Sequence, residues 1–211
     1  MRTFRALGAL LSHPSDELIA ALDELRGVLA SEGLVDARPL EPLFAELNGG
    51  DLLDLQDGYF SLFDNTRSLS LHMYEHVWGD ARERGQAMVR LQTVFALHGC
   101  TYDGRELPDY LPLFCEFLSL IAPAAARALL GDAAAVLEVL RERLQRRGSP
   151  YAAVLAALVS LAARKPDPAL LERISKGEAP DAETFDEIDR LWAEEPVLFT
   201  PETGCQPAAA V

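Results

Sequence analysis

Residues 62–120 read LFDNTRSLSLHMYEHVWGDARERGQAMVRLQTVFALHGCTYDGRELPDYLPLFCEFLSL. Within this stretch Met88, Leu91, Phe95 and His98 recur at intervals of three and four, the spacing that lines one face of an α-helix. No sustained two-residue alternation with β-branched enrichment interrupts it, so strands are not supported. Gly79 and Gly99 stand at the edges of that stripe, where helix ends are expected. Further on, Pro108 suits the first turn of another helix, with Leu107 before it pushed towards an extended conformation. Glu106 and Asp109 then fall near that helix start, where the helix dipole favours acids.

The same periodicity extends in both directions. Leu18, Ile19, Leu22, Leu25 and Leu29 form one stripe. Leu52, Leu55, Tyr59 and Leu62 form a second, and Val136, Leu137, Leu140 and Leu144 another. Pro14, Asn48-Gly49-Gly50, Gly131 and Gly148-Ser149-Pro150 lie between the stripes as helix ends. The sum is a single-domain, all-α bundle of roughly eight to ten helices. Alanine enrichment from Ala122 to Ala163 points to closely packed helices, and Gly85, which costs about 1 kcal/mol in mid-helix, points the same way. Tyr151 to Ala163 reads as a buried central helix, too short for the roughly 20 residues of a membrane span. Residues 1–164 are expected to form the helical domain. Residues 165–193 read as a charged, Pro/Gly-containing linker plus a short terminal helix near Thr184 to Trp192, belonging to the same domain. Residues 194–211 read as a mobile tail.

The chain has 211 residues, 49% of them hydrophobic, and a formal net charge of −14 from 33 acidic against 19 basic residues. So acidic a surface repels phosphate backbones and anionic lipid and attracts a cationic or amphipathic basic peptide. Cys100, Cys115 and Cys205 are odd in number and form no C-x-x-C pair, so neither a disulfide framework nor a cysteine zinc site is indicated, and reduced thiols are the simplest account. The opening MRTFRALGALLSHPSDEL reads as a first helix rather than a signal peptide. There is no G-x-S-x-G, no phosphate-cradling glycine loop and no Cys with a placed His, so no enzyme nucleophile is expected.

One short motif points elsewhere. His72-Met-Tyr-Glu75-His76 has the H-x-x-E-H spacing of an inverted zincin. On a helix the two imidazoles would share a face one turn apart, within reach of one zinc ion, with Glu75 placed to polarise a bound water. Glu106 or Glu116 could supply a third ligand. No strand is available to align an extended substrate, and His72 and His76 equally suit the C-terminal end of a helix that Gly79 terminates.

The wider segment resembles the respiratory nitrate reductase assembly chaperones, the NarJ type within the TorD/DmsD-like redox enzyme maturation proteins. The resembling residues are Leu62-Phe63-Asp64, Ser68-Leu69-Ser70-Leu71-His72, Glu75-His76-Val77 and Gly79 through Val89. Arg105-Glu106-Leu107-Pro108-Asp109-Tyr110-Leu111-Pro112-Leu113 continues it, and Ile188 through Val197 resembles the family's closing motif. The resemblance implies a TorD-like bundle, cytoplasmic and monomeric, that needs no cofactor of its own. It implies a partner, the catalytic (alpha) subunit of nitrate reductase, bound through a basic amphipathic N-terminal segment. It also implies support of molybdenum cofactor insertion and delayed docking on the membrane. A chaperone for a dimethyl sulfoxide or trimethylamine oxide reductase is the alternative client reading. In the broader group a His usually follows Glu-x-Pro-Asp, whereas here Tyr110 stands there. It keeps an aromatic face and a hydrogen-bonding tip but carries no positive charge.

A helix-in-groove mode needs an apolar trough with acidic rims. Phe60, Leu62, Phe63, Leu69 and Tyr74 suit the trough, and Asp64, Glu75, Glu106 and Asp109 the rim. His72, His76, Pro108 and Tyr110 complete the expected client-binding set, although Phe60 and Phe63 also suit a core. Arg82, Glu83 and Arg84 read as a solvated helix face able to pair with Asp80 or Glu106.

Overall fold

In the computed structural model, the described residues are 1–78, 82–101 and 104–176. Among them ten α-helices form: α1 (Arg2–Leu10), α2 (Asp16–Glu32), α3 (Glu41–Gly49), α4 (Leu52–Tyr59), α5 (Glu75–Trp78), α6 (Arg82–Leu97), α7 (Leu111–Leu120), α8 (Pro123–Arg146), α9 (Ala152–Leu161) and α10 (Pro168–Lys176). The all-α bundle expected from the periodicity is what forms.

Helix α1 runs through the middle, packed against α2, α7 and α9. Its sequence allows this because Phe4, Ala6, Leu7 and Leu10 are buried together with Gly8. Gly8 is what lets α7 come so close. A Cβ built there would lie 2.7 Å from Cys115 Cβ and 3.0 Å from the Pro112 carbonyl oxygen. The amino end of α1 is held by Glu32, at the end of α2. Its carboxylate accepts the N–H groups of Arg2 and Thr3, each at 2.9 Å, and the Thr3 hydroxyl at 2.7 Å. Free N–H groups of a helix start are thereby satisfied by a side chain from a neighbouring helix.

Helices α8 and α9 form a hairpin turned at Gly148, whose φ of 66° is the left-handed conformation that glycine tolerates. The apolar stripe on α8 is buried as its spacing requires, with Val136, Leu137, Leu140 and Leu144 at 4% exposure or less. Alanines face the same seam, Ala134, Ala135 and Ala157 among them.

Four expectations change. Gly131 does not end a helix but lies inside α8, where the Arg164 backbone nitrogen would come within 3.3 Å of a Cβ. It is a site of close approach. Gly85, by contrast, has nothing within 4 Å of a built Cβ, so close packing is not its reason. Residues 168–176, read as linker, form α10, because Pro168 opens the helix and Ile174 buries itself on the domain. Pro108 is not in the first turn of α7. It sits in a tight turn closed by the Tyr110 N–H to the Leu107 carbonyl at 2.9 Å, and α7 begins only at Leu111 with Pro112 in its first turn. The expected helix near Thr184 to Trp192, the closing motif from Ile188, the tail and Cys205 lie outside the described residues, as do Gly79 and Asp80. No helix of the described residues is long and apolar enough to cross a membrane.

Candidate functional site

A cleft of about 410 Å³ opens where the end of α4, the segment 63–75 and Tyr110 meet. Helix α4 does not stop at Tyr59 but widens into a π turn over Phe60–Asp64, closed by the Asn65 N–H to the Phe60 carbonyl at 2.9 Å. A π turn shifts the register of the side chains that follow, and such turns recur at functional sites. Here Tyr59 and Phe63 face inward as the aromatic floor, with ring centroids 4.9 Å apart, while Phe60 is left outside at 55% exposure. Tyr151, just before α9, braces Phe63 edge-on at 5.1 Å. Asp64, Asn65, Arg67, His72 and Glu75 bring polar groups to the rim.

The wall of the cleft is built around Asp109. His72 and Tyr110 form an isolated antiparallel bridge, made by the Met73 N–H to the Asp109 carbonyl at 3.1 Å and the Leu111 N–H to the Leu71 carbonyl at 2.9 Å. The Asp109 carboxylate, fully buried, accepts the Tyr74 N–H at 2.9 Å and lies 3.3 Å from His72 Nδ1. That arrangement corrects the helical reading of the H-x-x-E-H segment. A helix through His72 would need the N–H groups of Met73 and Tyr74, and Asp109 takes both. Helix α5 therefore starts at Glu75, and His72 and His76 do not share a helix face.

Each histidine has its own environment. The hydrogen bond with Asp109 raises the His72 pKa above its ordinary value against the opposing effect of burial. His76 is pushed the other way, chiefly by burial. Its Nε2 lies 2.7 Å from the Ser70 carbonyl, which can only accept, so Nε2 carries the proton. Nδ1 is then the acceptor facing Arg143 Nη1 at 3.4 Å. Arg143, only 5% exposed, also donates to the Ser68 carbonyl at 2.7 Å and the Ile174 carbonyl at 3.5 Å, tying the segment under the cleft to α8 and α10. Among the described residues, no group of three or more His, Cys, Asp or Glu is placed to hold a metal ion.

Tyr110 stacks obliquely on His72, ring centroids 5.3 Å apart. Its hydroxyl is 3.3 Å from that of Tyr59. Tyr59 donates its only hydroxyl proton to the Leu11 carbonyl at 2.8 Å, so Tyr110 is the donor between the two. Burial raises the pKa of both phenols, which keeps those protons in place.

Of the residues expected in the site, Phe63, Asp64, His72, Glu75 and Tyr110 come together around the cleft. Leu69 is core, at 0% exposure, and Pro108 is buried. Asp109 is a buried anchor rather than a rim acid. Tyr74 packs on Trp78, centroids 4.9 Å apart, and Glu106 is exposed away from the lining. His76 supports the cleft from beneath. Arg84, read as solvated, pairs with Glu75 at 3.0 Å. Tyr59, Asn65, Arg67, Ser70 and Leu71 were not foreseen in the lining. Tyr59 was detectable, since it stands four residues before Phe63. Arg143 was detectable too, as a charged residue between Leu140 and Leu144 on the buried stripe.

Residues 14–157 match the family described as nitrate reductase delta subunit, a span that includes every residue lining the cleft. The chain belongs to the nitrate reductase delta subunit family. Similar members of known description include the nitrate reductase molybdenum cofactor assembly chaperone NarJ of Escherichia coli (strain K12). It is 38% identical over 95% of this chain and 86% of its own length. The probable nitrate reductase molybdenum cofactor assembly chaperone NarW of the same organism is 33% identical over 97% of this chain and 87% of its own. The probable NarJ chaperone of Bacillus subtilis (strain 168) is 30% identical over 75% of this chain and 86% of its own. In this delta subunit family member, helices α2 to α8 and the cleft fall inside the matched span.

Proposed function

We propose that this chain is an assembly chaperone for nitrate reductase, acting by reversible binding and not by catalysis. It receives the N-terminal segment of the catalytic subunit in the cleft between the π turn and Tyr110. While bound, it keeps that subunit open for molybdenum cofactor insertion and off its membrane partner, working as a monomer in the cytoplasm. The observation that carries this reading is 38% and 33% identity, over nearly the whole chain, to relatives that bear the assembly chaperone name.

The residues suit the task. An amphipathic segment lays its apolar face on the aromatic lining of Tyr59, Phe63 and Tyr110. Its basic side chains meet Asp64 and Glu75 on a protein whose net charge is −14. Long-range attraction of that sign speeds encounter and is screened by salt. Aromatic contact then supplies the part of the affinity that salt leaves alone.

Calorimetric titration with a synthetic peptide of the client segment tests the proposal. Binding is expected to weaken as salt rises and to weaken further in Asp64→Lys. Charge reversal at Asp109 is not a useful probe, because it disrupts the wall itself. Absence of binding at low salt would overturn the reading.

A further inference from the structure

The carboxylate of Glu75 lines the cleft, yet it already holds a guanidinium from the same chain. Arg84 Nη2 lies 3.0 Å from Glu75 Oε1, with the two side chains 19% and 24% exposed. This ion pair joins α5, only four residues long, to the first turn of α6. Helix α6 is anchored to the bundle by a narrow face, Ala87, Leu91 and Phe95, whereas Val89 and Leu97 are 62% and 80% exposed. The pair is also imperfect. Among the described residues, no acceptor reaches Arg84 Nε, which is withdrawn from water. A covered donor without an acceptor costs free energy, which offsets part of the gain from pairing.

We propose that Arg84 is a built-in competitor for the client. Its guanidinium holds the Glu75 carboxylate in the free protein, and an arginine or lysine side chain of the incoming segment takes that carboxylate as Arg84 turns out to solvent. The proposal rests on the cleft being the client site. The exchange replaces one ion pair with another of like kind, so Glu75 is never left partly buried without a cation. A segment with no cation at this position has nothing to offer in return for displacing Arg84, and the internal pair thereby discriminates against apolar segments that would otherwise bind the aromatic floor. The Asp109 hydrogen bond raises the His72 pKa, and the nearby charge of Arg84 opposes that rise to a small extent. The His72 titration thus reports independently on whether Arg84 is seated.

The test uses the full chain and two probes, a synthetic peptide of the client's N-terminal segment and the same peptide with its Arg and Lys replaced by Gln. Titrations are run on the wild type, Arg84→Gln, Glu75→Gln and the double variant. Arg84→Met, which keeps an apolar stem, serves in place of Arg84→Gln if the latter melts early. Arg84→Gln is expected to bind the basic peptide roughly fivefold tighter, about 1 kcal/mol for removal of a partly exposed competing pair. Glu75→Gln is expected to bind it more weakly, and adding Arg84→Gln to Glu75→Gln to change nothing more. The His72 titration midpoint should rise in Arg84→Gln without peptide. Equal or weaker basic-peptide binding by Arg84→Gln, or the same gain when Arg84→Gln is added to Glu75→Gln, would overturn the competitor role while leaving the client reading intact. Failure of every variant to bind the basic peptide would overturn both.

Discussion

Asp109, with no surface exposed, stands 3.3 Å from His72 Nδ1 and at the same time accepts the Tyr74 N–H at 2.9 Å. The Asp109 carboxylate, with the Asp109 carbonyl that takes the Met73 N–H, thus keeps residues 72–74 in a bridge and turn rather than a helix, and the carboxylate orients the ring that borders the cleft.

Asp109→Asn should therefore loosen the wall without emptying it. An amide can satisfy one of the two donors but not hold a charged imidazole, so a loss of about 1–3 kcal/mol is expected. Urea unfolding measures that loss. The His72 midpoint, followed by NMR, should fall towards its ordinary value. An unchanged midpoint would show that the carboxylate does not sustain the charge.

Tyr110 offers a second test at the same point. Tyr110→Phe removes the donor to the Tyr59 hydroxyl and should cost about 1 kcal/mol in thermal or denaturant melts. Tyr110→His introduces the residue usual in the broader group next to His72. Two imidazoles at this distance repel when both are charged, so the His72 midpoint should drop in that variant.

The histidines give stability two opposite dependences on pH. His76 has its folded pKa lowered, mainly by burial, so the unfolded chain binds the proton first as pH falls below 6.5. Stability attributable to His76 is whole above 6.5 and is lost below it. His72 has its folded pKa raised by the hydrogen bond with Asp109, so its contribution is whole below 6.5 and is lost as pH rises through the folded value. His76→Gln, which keeps a donor for the Ser70 carbonyl, should flatten the acid side of the profile, and His72→Gln the neutral side. Denaturant midpoints measured across pH distinguish the two.

Two glycines inside helices should respond in opposite ways. Gly8→Ala places a methyl 2.7 Å from Cys115 Cβ in the tightest helix contact, and overpacking there should cost about 1–3 kcal/mol. Gly85→Ala meets nothing within 4 Å on an exposed turn of α6 and should stabilise by up to about 1 kcal/mol through helix propensity. Calorimetric melting of the two variants should show shifts of opposite sign.

The helical bundle was legible because helical burial leaves a local mark. A stripe such as Val136, Leu137, Leu140 and Leu144 repeats within a few residues, and glycine or proline punctuation such as Gly148 sits next to the ends it makes. Half of the cleft was legible for a similar reason, since Phe63, Asp64, His72, Glu75 and Tyr110 fall in one motif-rich stretch. What misled was any inference that needed a partner far along the chain. His72 to His76 has helical spacing, but the N–H groups that a helix would use are taken by Asp109, more than thirty residues away. Gly131 reads in the sequence as a helix end and Gly85 as a site of close packing, and only the approach of Arg164 to Gly131 shows that the close contact is there instead.

By itself, then, the sequence determined an acidic all-α chain of the nitrate reductase delta subunit family, since periodicity, charge and motif order are properties of neighbouring residues. The tertiary structure alone decided that Asp109 is an internal anchor and not a rim acid, that burial lowers the pKa of His76 beside Arg143, and that Glu75 is occupied by Arg84. Burial and hydrogen-bond competition act between residues distant in the chain, and they determine which carboxylates and imidazoles remain available to a partner.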